Sequence, residues 1–236
     1  MINKILYIDI ETTKQGKIKD IGALFEGQEL HESHLTKLEK WIKQAEYICG
    51  HNLVAHDIPL LERVLGKEIF VNKKIIDTLL WSPLLFSDNP YHKLVKGYKI
   101  VNDSDYNNPL SDCKLTKQLL IDELNKFNEL EKSTQQIYAS LLSKFDEFSG
   151  LLELINFQNN NIDPVTEIVN IFKNKTCDSA NIFQLVKDHP IELAYAFSLI
   201  NTKEDKSILA YWVSKTRPKT QQILDDAKGG VLFIDE

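Results

Sequence analysis

Near its start the chain reads "YIDIETT", Tyr7 to Thr13, with two acids, Asp9 and Glu11, at the end of an apolar run. Side chains alternate along a strand, so acids two positions apart point to the same face. Carboxylates that close repel each other and need a shared proton or a cation. A cation bound at the end of a central strand is the sharper reading. Two more acids stand at suggestive places: Asp57 in "GHNLVAHDIPLL" and Asp112 in "NNPLSDCKLTKQLL". Each falls at a strand-to-helix edge or in the first turn of a helix. In an α/β sheet such edges converge on one crevice. Hard oxygen ligands collected there suit Mg2+ or Mn2+. Two such ions can activate water and stabilise the leaving oxygen of a phosphodiester. Taken singly, Asp57 and Asp112 read first as acids favoured by a helix dipole. Asp9 and Glu11, inside an apolar strand, have no such ordinary role.

The elements that must position these acids follow from the pattern. "KILYID" reads as a strand, "IKDIGALFEG" as a second strand ending at a turn with Gly27, and "ELHESH" as a short third. Leu35, Leu38, Trp41 and Ile42 recur at helical spacing. "AEYICGHN" returns to a strand that ends at Gly50, and "VAHDIPLLERVLG" is a helix stopped by Gly66. "IIDTLLWSPLLF" starts extended and becomes a helix interrupted near Pro83. A long polar stretch, 87–108, precedes a strong helix from Pro109, with Leu115, Leu119, Leu120 and Leu124 along one face. The order βββαβα predicts an α/β fold with a mixed sheet. Beyond about Glu129 the texture is helical, so the expected domains are 1–128 and 129–236.

A chain of 236 residues can bury a sizeable core, and its composition is that of a globular protein. A net charge of −6 is not that of a bulk nucleic-acid binder, although an acidic metal site and a local basic groove can coexist with it. Cys49, Cys113 and Cys177 are scattered and form no CxxC pair, which suggests free thiols in a reducing compartment. The acids in "MINKILYIDIE" exclude a signal peptide, and no apolar run approaches a membrane span. The expectation is a soluble, cytoplasmic protein with no membrane contact.

Taken in order, "YIDIETT", "GHNLVAHDIPLL" and "NNPLSDCKLTKQLL" resemble the three motifs of the DEDD 3′–5′ exonucleases. That DnaQ-like family includes the proofreading exonucleases of replicative polymerases, RNase T and oligoribonuclease. "IKDIGALFEG" and "IIDTLLWSPLL" resemble its connecting pieces, so the resemblance covers roughly residues 1–127. It implies an RNase H-like mixed sheet flanked by helices, followed here by a mostly helical second domain. It implies that Asp9, Glu11, Asp57 and Asp112 bind two Mg2+ or Mn2+ ions. It also implies a nucleic acid with a free 3′ end as partner, with Thr12 and Thr13 near the terminal nucleotide and Asn52 beside it.

One departure from the family matters. One branch has a general-base His five positions before the last Asp, and the other a Tyr four positions before. Here those positions hold Asn107 and Asn108. An amide cannot take a proton from water, so Asn107 is expected only to contact substrate. Three readings stay open. The base comes from elsewhere, with His92 of "NPYHKL" as the candidate catalytic residue. The metal centre suffices without a base. Or catalysis is lost and binding kept. Around His92, the residues Tyr91, Lys93, Lys96 and Lys99 make a basic, aromatic stretch that suits phosphates and stacked bases, or equally a solvated loop. His51 and His56 are expected as hydrogen-bonded scaffold.

The second half carries no cluster of chemistry. "LAYWVSKTRPKTQQIL", with Lys215, Arg217 and Lys219, reads as a basic surface face. "GGVLFIDE" looks like a Walker B strand, but no GxxxxGK[ST] loop accompanies it. An exonuclease domain with a helical follower resembles the nuclease modules fused ahead of RecQ-like DNA helicases in bacteria. That likeness implies DNA as substrate and a helicase region in the same polypeptide.

Overall fold

The computed structural model describes residues 4–89, 92–94, 108–157, 164–172 and 181–200. Asn107, the basic stretch from Val95 onward, "LAYWVSKTRPKTQQIL", "GGVLFIDE" and Cys177 lie outside the described residues. The fold is α/β, as expected: a five-stranded mixed sheet flanked by helices, with helical segments after it. The strands are β1 (Ile5–Thr12), β2 (Ile18–Phe25), β3 (Gln28–Glu32), β4 (Tyr47–Gly50) and β5 (Lys74–Asp77), in the order β3-β2-β1-β4-β5. β2 runs antiparallel to β1 and to β3, whereas β4 is parallel to β1 and β5 parallel to β4. The central strand is therefore β1. The C-terminal ends of β1, β4 and β5 share one edge of the sheet.

On one face of the sheet, Leu6, Ile8, Ile10, Ile21 and Ala23 are almost fully buried. They pack with Leu38, Trp41 and Ile42 of α1 (Thr36–Gln44) and with Leu60 and Leu61 of α2 (Asp57–Leu65). The stripe expected on α1 is thus its core face. The C-terminus of α1 is closed by Lys73, whose Nζ donates to the carbonyls of Lys43 and Ala45 at 3.0 and 2.7 Å. Within the expected β5 region, α3 (Thr78–Leu85) runs through Pro83 without interruption. The helix ends two residues beyond Pro83, so the proline disturbs only its last turn.

The other face of the sheet carries α4 (Pro109–Glu129). Its buried residues include Asp112, Cys113, Thr116, Leu120, Glu123 and Phe127. The expected leucine stripe is corrected here: of Leu115, Leu119, Leu120 and Leu124, only Leu120 is buried. The helix is rotated so that Asp112 and its neighbours one turn apart face the sheet.

The chain clusters into two compact units. One takes Met1–Ser82, His92–Glu129 and Lys144–Phe157, and the other takes Pro83–Tyr91, Leu130–Ser143 and Gln158–Glu236. The sheet unit therefore includes α6 (Asp146–Leu154), which lies against β5. A Cβ on Gly150 would stand 2.1 Å from the Ile75 carbonyl oxygen, so only glycine allows that approach. Trp81, completely buried, meets Phe127 and Phe148 edge-on at 6.0 and 5.7 Å between ring centroids. In the helical unit, α5 (Lys132–Leu142), α7 (Pro164–Phe172), α8 (Ile182–Asp188) and α9 (Pro190–Ile200) are described. There Tyr138 stacks edge-on with Phe197 at 5.6 Å and donates its hydroxyl to the Leu84 carbonyl at 3.1 Å. No helix among the described residues is long and apolar enough to cross a membrane.

Candidate metal centre

Alternation along β1 separates its two faces. Leu6, Ile8 and Ile10 enter the core under α1 and α2, so Asp9 and Glu11 turn toward α4. Across the antiparallel ladder Asp9 stands opposite Gly22, and Glu11 opposite Asp20. Gly22 sets the geometry. A Cβ there would lie 2.1 Å from the Pro109 carbonyl carbon and 2.3 Å from the Leu110 nitrogen. The first residues of α4 thus rest directly on the backbone of β2, beside Asp9. Asn108 caps this helix: its Oδ1 accepts from Ser111 N at 3.1 Å, and its carbonyl accepts from Asp112 N at 3.1 Å. Asp112 follows in the first turn and is 8 % exposed.

One carboxylate oxygen from each of Asp9, Glu11 and Asp112 lies within 4.8 Å of the other two. Three hard oxygen donors at that spacing can hold a divalent cation. Asp57 is not part of this trio, but it stands next to it. It opens α2, is 2 % exposed, and is the charge that acts most strongly on Asp9. Burial, then Asp57, Asp112 and Glu11, push the Asp9 carboxyl up to about 8. Burial also raises Asp57, against the opposing pull of His56 and of hydrogen bonding from the Ile10 backbone. Asp9 and Asp57 thus hold their protons above the ordinary carboxylate range, and a cation beside such groups can replace a proton.

The loop that delivers Asp57 is held by Asp77, at the end of β5. Its carboxylate accepts from Asn52 N and Val54 N at 2.9 Å each, and from Leu79 N at 3.0 Å. Asp77 is 1 % exposed, and burial raises its pKa despite the three donors. Asn52 adopts φ 66°, the left-handed conformation that asparagine tolerates, and accepts from His56 N at 3.0 Å. Asp77 was not expected in the site. The signal was present in "IIDT", an acid ending an apolar run just as Asp9 and Glu11 do.

The histidines separate by position. His51 is largely buried; burial lowers its pKa to about 4, and its Nδ1 pairs with Thr78 Oγ1 at 2.9 Å. It is scaffold, as expected. His92 sits with its Nδ1 2.9 Å from Ser82 Oγ, and burial lowers its pKa. The imidazole whose charge acts on Asp9 is instead His56, half exposed, with Nδ1 3.7 Å from Asp57 Oδ1. That distance is an ion-pair contact, too long for a hydrogen bond. The pKa of His56 is raised, chiefly by Asp57. Thr12 ends β1 partly buried, and the Thr13 hydroxyl accepts from Lys17 N at 3.3 Å in the turn that follows. The chain matches no protein-family model and no curated protein.

Proposed function

We propose that this chain is a metal-dependent 3′–5′ exonuclease of the DEDD type, acting on a nucleic acid with a free 3′ end, with DNA as its substrate. The observation that carries the reading is the convergence of Asp9, Glu11 and Asp112 on one point beside Asp57. Asp9, Glu11 and Asp112 hold the divalent cation, Mg2+ or Mn2+, and Asp57 completes the acidic set. Bound there, such ions supply Lewis-acid activation of water and neutralise charge on the phosphodiester. The protein's own part is to orient the carboxylates: β1 presents two, the start of α4 on Gly22 presents the third, and Asp77 fixes the loop before the fourth.

A second reading has its own observation. Asn108, at one of the two positions where the resembled family carries its base, spends its side chain on capping α4. This favours a fold that holds a nucleic-acid end without cutting it. The test is a time course on 3′- and 5′-labelled single-stranded DNA and RNA with Mn2+, Mg2+ or chelator. Laddering from the 3′ end that needs metal and vanishes in Asp9→Asn is the expected result. Binding without cleavage would establish the second reading. Full activity in Asp9→Asn would remove the metal centre from the chemistry.

A further inference from the structure

The turn after β1 and one residue of α2 gather exposed positive charge immediately beyond Glu11. Lys14 and Lys17 lie in the turn, Lys19 follows on β2, and all three are exposed. The turn is built, not loose: Thr13 N donates to the Lys17 carbonyl and Gly16 N to the Thr13 carbonyl, each at 2.8 Å. Arg63 reaches across from α2 and donates Nη2 to the Gly16 carbonyl at 2.7 Å, which fixes its guanidinium against this turn. Arg63 is exposed as well. Among the described residues none of Lys14, Lys17, Lys19 and Arg63 is in an ion pair. The neighbouring acid Asp20 is already engaged by His31 at 2.7 Å. Four cations with no ion pair among the described residues, on a chain of net charge −6 and just past the end of the strand that bears Glu11, suit a polyanion.

We infer that Lys14, Lys17, Lys19 and Arg63 form the surface that holds the phosphate backbone of a single nucleic-acid strand as its end enters the carboxylate centre. This rests on the exonuclease reading and adds the side from which the strand approaches. Lys14 is three residues past Glu11, at most about 10 Å along extended chain, so the ridge meets phosphates close to the end being cut. Lysines supply point charge, and the guanidinium, with donors left over after Gly16, supplies directed hydrogen bonds to phosphate oxygens. Such contacts position the strand and do not read its sequence.

The experiment uses the full chain carrying Asp9→Asn, which stops cleavage, with and without Lys14→Gln, Lys17→Gln and Lys19→Gln together. Fluorescence anisotropy of labelled oligothymidylate and oligouridylate is followed from about 50 to 400 mM salt. The expected result is affinity lower by about tenfold and a log–log salt slope shallower by about 2, from about 0.7 per lost contact. Arg63→Lys, which keeps the charge and loses the fork, should weaken binding while leaving the slope unchanged. An unchanged melting temperature in the lysine variants shows that the fold is intact. If the parent binds the oligonucleotides and the triple variant binds them with the same affinity and slope, the ridge is not the contact surface and the inference alone falls. If neither oligonucleotide binds the parent nor is cut by the wild-type chain with Mn2+, the exonuclease reading falls and takes the inference with it.

Discussion

At the scale of single residues, Asp9 ties the candidate site to pH. Its carboxyl titrates at an ordinary value of 3.8 in an open chain and is pushed up to about 8 here. The folded state therefore keeps a proton that the unfolded chain has already lost. By linkage, the ion-free protein loses stability as pH rises from about 4 to about 8, and the loss is complete above that window. A divalent cation held by Asp9, Glu11 and Asp112 would take the place of the proton and remove the repulsion among the acids. Thermal melts should show Mn2+ raising the melting temperature little at about pH 5 and by several degrees at about pH 8. Asp9→Asn should stabilise the ion-free protein at the higher pH and abolish the Mn2+ effect. A Mn2+ shift independent of pH, or one surviving in Asp9→Asn, would place the ion elsewhere.

At the scale of elements, the site depends on one close approach, α4 against β2 at Gly22. The resemblance named the acids, yet a glycine within "IKDIGALFEG" is what lets the third carboxylate arrive. A lone glycine in a strand is itself a sign that another backbone comes near, so this part was readable in principle. Gly22→Ala places a methyl group 2.1 Å from the Pro109 backbone, and the start of α4 must move. The expected outcome is a cost of about 1–3 kcal/mol in urea unfolding, together with weaker Mn2+ binding as Asp112 is displaced. Calorimetric titration of Mn2+ into a folded Gly22→Ala protein with wild-type affinity would show that Asp112 is not a necessary ligand. The rotation of α4 was not readable from leucine spacing. Its buried face includes Asp112, Thr116 and Glu123, and a hydrophobic pattern cannot register polar residues that are buried.

At the scale of the whole molecule, the division of the chain departs from its linear order. Texture places one boundary near Glu129, whereas Lys144–Phe157 belongs with the sheet. Within that unit α6 covers the edge strand β5, and Phe148 and Phe157 pack edge-on around Trp81 and Phe127. Lys74 adds an ion pair to Glu153 at 2.7 Å. Each buried phenylalanine removed from a core costs about 3–5 kcal/mol, and a typical domain has about 5–15 kcal/mol in all. A chain cut after Glu129 should therefore lose cooperative thermal unfolding, read by circular dichroism. A sharp melt within a few degrees of the full chain's would show the sheet unit to be complete without α6.

The sequence by itself determined the strands, the first four helices to within a few residues, and the acids worth watching. Those follow from local rules: period two in "KILYID", helical spacing in "LTKLEKWIKQ", and the anomaly of acids inside an apolar strand. Only the tertiary structure decided which acids meet. Asp9, Glu11 and Asp112 come within reach of one ion because β2 crosses β1 antiparallel, with Gly22 opposite Asp9. Of the histidines, His56 lies against its neighbour Asp57, while Nδ1 of His92 meets Ser82 Oγ. The carboxylates that meet are far apart in the chain, from Asp9 to Asp112. Their meeting is set by register, helix rotation and close packing, and no local pattern encodes it.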